Sequence, residues 1–274
     1  MVGESLPKTL VTGGEGIVGS ALPFGEKLGR QTLDVTNPAN VKKVFLKEKP
    51  TIVVHPAALT DVDYCEGHSS EAYFTNTFGT YNIAYWSNRI RATLVLISTG
   101  AVFAGREPAK INDLTHPVNI YGRTKLAAEI IARDVNPKTL IVRTGWVFGG
   151  RERDKKFVGK ILEQVRKGSK ILHVPKDNIG CPTYAQDFGQ GVYKLLKKPK
   201  PGTYHLVNKG TASRYEIALE IVRLLGVKVV VKPVLQSQLP LLAPRPLREV
   251  LVPSRPYLRS WKEALAEYLK EMYL

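Results

Sequence analysis

Apolar residues along this chain gather in short, unbroken runs, separated by stretches where they recur every three or four positions. The runs are Lys8–Thr12, Pro50–Ala58, Leu94–Ile97 and Leu140–Arg143. Continuous apolar runs without polar alternation predict strands covered on both faces, as in a parallel sheet. Between them, Ala39–Lys47, Glu71–Asn88 (with Asn76 inside) and the segment from Asn119 through Leu126–Ile131 carry helical periodicity. Strands alternating with helices predict an α/β fold, a doubly wound parallel sheet whose strand C-termini gather the site. Ser20–Arg30 is short for a full helix plus a second strand. Leu33-Asp34-Val35-Thr36 reads as the end of a third strand, with Asn37-Pro38 opening the next helix.

After about residue 150 the pattern changes. Phe157–Lys167 reads as a helix, Ile171–Val174 and Gly202–Val207 as strands, and Tyr215–Leu225 as a further helix. A proline-rich segment, Pro233–Pro256, precedes a final amphipathic helix, Ser260–Met272. The expected organisation is a nucleotide-binding domain of Rossmann type over residues 1–150. Residues 151–274 form mainly a smaller α/β substrate-binding lobe, with some segments returning to the main sheet.

Composition narrows the function classes. The chain has 274 residues, 43% of them hydrophobic, enough for a full core. It has no uncharged apolar run of about 18 residues, so no membrane span is expected. Met1–Lys8 lacks an apolar signal core, which predicts a cytoplasmic protein. Cys65 and Cys181 read as two reduced thiols, and no metal-ligand spacing exists, so no metal is expected. The net charge of +16 would suit nucleic acid. However, the basic residues are scattered, and the clusters Arg151–Lys156 and Lys194–Lys200 lack interleaved aromatics. A basic surface that attracts phosphorylated small molecules is the more economical account, and no nucleic-acid partner is expected.

The candidate chemistry lies at the predicted strand ends. Gly13, Gly16 and Gly19 follow the first strand directly, where a glycine turn and a helix start form a site for a dinucleotide pyrophosphate. Apart from Asp34, no acidic residue stands where it would grip an adenine-ribose hydroxyl, while Lys27 and Arg30 are nearby. This favours NADPH, with NADH as the second choice. Ala57 and Ala58 leave room for a cofactor, and Ser98 and Thr99 bring hydroxyls to the same edge. Tyr121 and Lys125 stand four apart on one helix face, where an ammonium near a phenol assists proton exchange. That pair suits ketone reduction. Trp146 reads equally as a core aromatic or a ligand contact, His55 as a satisfied buried histidine, and Asp61, Asp63 and Glu66 as solvated or capping residues.

Taken together, Thr12-Gly13-x-x-Gly16-x-x-Gly19, Ser98-Thr99 and Tyr121-x-x-x-Lys125 resemble the extended short-chain dehydrogenase/reductase family. Ala57–Asp63, Ser98–Phe103, Tyr121–Glu129, Arg143–Phe148, Gly180–Thr183 and Gly202–His205 look like its dTDP-4-dehydrorhamnose reductase branch. Pro244-Arg245-Pro246 and Trp261-x-x-Ala264-Leu265 extend the likeness over nearly the whole chain.

The resemblance implies NADPH-dependent reduction of the C4 ketone of dTDP-4-dehydro-L-rhamnose, a nucleotide-sugar substrate, in dTDP-L-rhamnose synthesis. It implies Tyr121 as proton donor, Lys125 holding the nicotinamide ribose and lowering the tyrosine pKa, and Thr99 bonding the keto oxygen. Gly13, Gly16, Ile17 and Val18 would hold the pyrophosphate, and Asp34 and Val35 would lie near the adenine. Ala57, Ala58, Leu59 and Ser98 would border the cofactor, with Asn76 behind the site. Gly100 and Trp146 would meet the substrate.

Departures from the branch pattern are Gly100, Ala101 and Ala104 where Asp, Tyr and Asp are usual, His55 for Asn, and Arg248-Glu249 for Asn-Ser. They keep two alternatives open. One is a non-catalytic NADP-binding regulatory subunit like the methionine adenosyltransferase beta subunit. The other is a reductase or epimerase of another nucleotide sugar. Both monomer and homodimer stay open.

Overall fold

The computed structural model describes residues 6–105 and 107–273. Five strands, β1 (Thr9–Thr12), β2 (Glu26–Leu28), β3 (Ile52–His55), β4 (Thr93–Thr99) and β5 (Thr139–Thr144), join a sixth, Gly202–His205, in one sheet. Every pairing in it is parallel, and the order is Gly202–His205, β5, β4, β3, β1, β2. The apolar runs are unbroken because the sheet is covered twice. Leu10, Val53, Leu94 and Leu96 face Val41, Phe45, Ile83 and Ala128 on one side. Val11, Val54, Val95 and Ile97 face Leu22, Phe188, Val192 and Leu196 on the other. Each such side chain buried stabilises the fold by about 1.5–3 kcal/mol relative to exposure.

A second core lies beyond residue 146. The helices Phe157–Arg166, Arg214–Leu225 and Trp261–Tyr273 bury Ile161, Ile217, Ala218, Leu265 and Tyr268 against one another and against Leu172 and Val174. Ile171–Pro175 pairs in parallel with Val230–Val234. The proline-rich segment then crosses back, and its two residues Arg248–Glu249 pair with Ile179–Gly180. Among the described residues, no helix is long and apolar enough to cross a membrane.

Three expectations change. Asp34 is not at a strand end: Leu33–Thr36 pairs with nothing, and the Asp34 carboxylate accepts from the Thr36 N–H (3.0 Å) and hydroxyl (2.7 Å) to close a turn. The second strand is instead the three-residue β2, preceded by a helix of only five residues, Ile17–Ala21. The long helix is broken into Ser69–Tyr73 and Gly79–Arg89 by a π-helical turn, Phe74–Phe78, that contains Asn76. The reading of Met1–Lys8 rests on Met1–Ser5, which lie outside the described residues.

Candidate active site

A cavity of about 610 Å³ runs along the C-terminal ends of β1, β3, β4 and β5. At one end is the glycine turn. Gly13 has φ of +55°, and a Cβ there would come within 2.8 Å of the Ala57 Cα, so the turn lies directly on the chain leaving β3. Below it His55 is fully buried between two hydroxyls, with Nδ1 2.7 Å from the Thr12 Oγ1 and Nε2 3.2 Å from the Thr80 Oγ1. Burial, with the Lys125 charge added, pushes its pKa down to about 3, so the ring is neutral and structural. Gly13, Gly16, Ile17 and Val18 line this end. So do Asp34, Val35, Ala57, Ala58 and Leu59.

The opposite end is built on the helix Ile120–Val135. The Asn119 side chain caps it by accepting the Gly122 N–H at 2.8 Å, and Glu66 accepts the Ile120 N–H at 2.9 Å. A Cβ at Gly122 would meet the Ala101 carbonyl oxygen at 2.4 Å, so glycine there lets the helix start close against the end of β4. Tyr121 and Thr99 thereby line one stretch of wall. Thr99 does satisfy the backbone, accepting the Ala101 N–H at 3.1 Å, and its hydroxyl lies near enough to the phenol to influence its pKa. Burial pushes the Tyr121 pKa well up, the Thr99 bond pulls it back and the Glu249 charge pushes it further. The phenol is therefore held protonated.

Lys125 shares the wall, and burial brings its pKa down to about 8 against the opposing pull of Glu129. Its Nζ donates to the Ile97 carbonyl at 2.8 Å. Ser98 lines the cavity, but its hydroxyl turns away to Glu129 at 2.5 Å. Glu129 in turn grips Arg143 at 2.9 and 2.7 Å.

Trp146 follows β5 at φ +38°, a strained conformation for a bulky residue, and lines the cavity. Its indole N–H donates to Glu249 Oε2 at 3.1 Å, and the Arg214 guanidinium stacks over the ring at 4.3 Å.

The RmlD substrate binding domain family model matches residues 7–274 of this chain. The chain belongs to the RmlD substrate binding domain family. The Bacillus subtilis spore coat polysaccharide biosynthesis protein SpsK is 35% identical, over 97% of this chain and 98% of its own. The dTDP-4-dehydrorhamnose reductase of Mycolicibacterium smegmatis is 31% identical, over 95% of this chain and 84% of its own. The crystal structure of dTDP-4-dehydrorhamnose reductase from Bacillus anthracis in complex with NADP superposes with a TM-score of 0.93. It is 31% identical and covers 97% of this chain and 99% of that one.

Within this RmlD-family chain, two expected residues stand outside the cavity wall. Asn76 is fully buried behind it, where its amide takes the Leu59 N–H (2.7 Å) and donates to the Leu59 carbonyl (3.0 Å) and the Thr124 hydroxyl (3.0 Å). It fixes the loop after β3. Gly100 is covered by Glu249, whose Cγ would lie 3.2 Å from an added Cβ. Of the two cations near the glycine turn, Arg30 lines the cavity and adds its charge to the Thr36 hydrogen bonds that lower the Asp34 pKa. Lys27 is turned to the Ser20 carbonyl at 2.9 Å. Arg214 and Glu249 had no signal as site residues beyond the departure at Arg248-Glu249, since Arg214 arrives on a helix of the second core and Glu249 on the returning proline-rich segment.

Proposed function

We propose that this protein reduces the C4 ketone of dTDP-4-dehydro-L-rhamnose with NADPH, in the synthesis of dTDP-L-rhamnose. The observation that carries the reading is the convergence of a protonated Tyr121 and the Thr99 hydroxyl on one wall of a cavity that continues to the glycine turn. The residues fit a dinucleotide: the turn at Gly13 has no room for a side chain, and Ala57 and Ala58 keep the next strand end low. Gly13, Gly16, Ile17 and Val18 take the pyrophosphate, Asp34 and Val35 border the adenine, and Arg30 meets the 2′-phosphate. Ala57, Ala58, Leu59 and Ser98 border the nicotinamide half, with Asn76 holding Leu59 in place from behind.

NADPH, when bound, supplies the hydride. Thr99 and Tyr121 donate hydrogen bonds to the ketone oxygen, stabilise its growing negative charge, and Tyr121 gives up its proton to it. Lys125, anchored on the Ile97 carbonyl, presents its charge to the nicotinamide ribose. Trp146 closes the sugar side. Residues 151–274 supply most of that side through Arg214 and Glu249.

NADPH oxidation followed by absorbance, with dTDP-4-dehydro-L-rhamnose generated in the same tube, tests the reading. Turnover dependent on the sugar nucleotide supports it. Tight NADPH binding without oxidation would overturn it in favour of a non-catalytic cofactor-binding role.

A further inference from the structure

Glu249 brings a carboxylate into the cavity wall from a two-residue strand of the returning segment. Its position is defined on three sides. Trp146 donates its indole N–H to Oε2 at 3.1 Å. Arg214 stacks on the same indole at 4.3 Å and on Phe157 at 4.9 Å, which keeps the tryptophan in place. The absent side chain of Gly100 makes the space: an added Cβ would lie 3.2 Å from the Glu249 Cγ and 3.4 Å from Oε1. Trp146 is itself held at a strained φ, so the carboxylate, indole and guanidinium form one built arrangement.

Burial raises the Glu249 pKa, while the Trp146 bond and the Arg214 and Arg245 charges pull it back toward the ionised form, in which a carboxylate offers about four acceptor positions. The indole fills one. Acceptor capacity remains on a carboxylate that is only partly exposed at the cavity wall, and a polar group drawn away from water without donors is costly. Thr99 and Tyr121 mark the place of the ketone oxygen in the reductase reading. Glu249 packs against Gly100, the residue that follows Thr99, and lines the same cavity as Thr99 and Tyr121, so its carboxylate lies on the side of the ring carbon next to the ketone.

We infer that Glu249 accepts a hydrogen bond from the substrate hydroxyl on the ring carbon adjacent to the reacting ketone, and so selects α-hydroxy ketone sugars. The inference rests on the reductase reading and adds a specificity-determining residue to it. A substrate lacking that hydroxyl leaves the carboxylate without its donor. A site built to bond a substrate hydroxyl rejects the deoxy analogue strongly, and a charged acceptor sets the expected preference at about 10–100-fold in kcat/KM.

The test compares NADPH oxidation with the nucleotide-linked 4-keto-6-deoxysugar and with its analogue lacking the adjacent hydroxyl, in the wild type, Glu249→Gln and Glu249→Ala. NADPH affinity, measured by fluorescence titration, confirms that each variant is folded. The expected result is a wild-type preference of about 10–100-fold that shrinks in the neutral, isosteric Glu249→Gln and approaches unity in Glu249→Ala. An unchanged preference in either variant, with NADPH affinity intact, overturns the role of Glu249 alone. No wild-type turnover of either sugar overturns the reductase reading, and the role of Glu249 with it.

Discussion

Lys125 donates to the main-chain carbonyl of Ile97 at 2.8 Å, which ties the helix Ile120–Val135 to β4 through a side chain rather than through backbone. Burial makes that ammonium easier to discharge, bringing its pKa to about 8, while the Tyr121 phenol moves the other way. As pH rises through 8 the lysine loses its charge before the tyrosine loses its proton. We predict a fall in kcat/KM with an apparent pKa near that value, and its disappearance in Lys125→Met, whose activity is low and flat. A pH–rate profile checks this, and an unaltered alkaline limb in Lys125→Met would contradict it.

His55 makes a prediction about stability. Its folded-state pKa, about 3, lies below the usual value of 6.5, so the unfolded chain binds a proton that the folded chain refuses. The stability its neutral ring contributes is present above 6.5 and is lost as pH falls toward 3. His55→Asn removes the titration while keeping polar contact with Thr12 or Thr80. The expected outcome is a smaller drop in melting temperature between pH 7.5 and pH 5 than the wild type shows. Equal drops in both proteins would remove His55 from the account.

In the proposed function Arg30, which lines the cavity, meets the 2′-phosphate and so carries the cofactor preference. Replacing it with Ala should raise the KM for NADPH by roughly 10–100-fold, the worth of a hydrogen bond to a charged group, and leave the KM for NADH nearly unchanged. Lys27→Ala should alter neither, because that ammonium is spent on the Ser20 carbonyl. Initial rates with the two cofactors separate these outcomes, and equal loss with NADH would place Arg30 elsewhere.

The main strands were legible because a sheet covered on both faces writes itself as apolar runs, as β3, β4 and β5 do. β2 was not legible. It is a three-residue edge strand with Glu26 and Lys27 exposed, and Leu33–Val35 imitated it because both leucine and valine are buried there for packing alone. Nor could the π-turn at Asn76 be read, since one extra residue per turn barely disturbs helical periodicity. In the site, spacing carried Tyr121 and Lys125 to one face, but not the carbonyl that Lys125 would choose. Glu249 and Arg214 belong to segments far along the chain, and only the tertiary return of the proline-rich stretch brings them to the cavity.

The buried pair beside the site is a structural prediction of its own. Glu129 and Arg143 side chains are 2% and 5% exposed, so removing one partner strands the other charge away from water. Glu129→Ala should destabilise the fold by about 3–5 kcal/mol, and the Glu129→Ala, Arg143→Met double variant by less than the sum of the single changes. Urea unfolding of the singles and the double measures it. Strict additivity would mean the pair is not coupled.

Tyr121→Phe isolates the proton donor of the proposed reduction. It removes one oxygen, leaving Thr99, Lys125 and the cavity unchanged in shape. In the variant, kcat for NADPH-dependent ketone reduction should fall by about 10²–10⁴-fold, the usual contribution of a positioned acid, while the dissociation constant for NADPH stays within a small factor of wild type. A Tyr121→Phe protein that still reduces the sugar at close to the wild-type rate would contradict the assignment of the proton donor and the mechanism built on it.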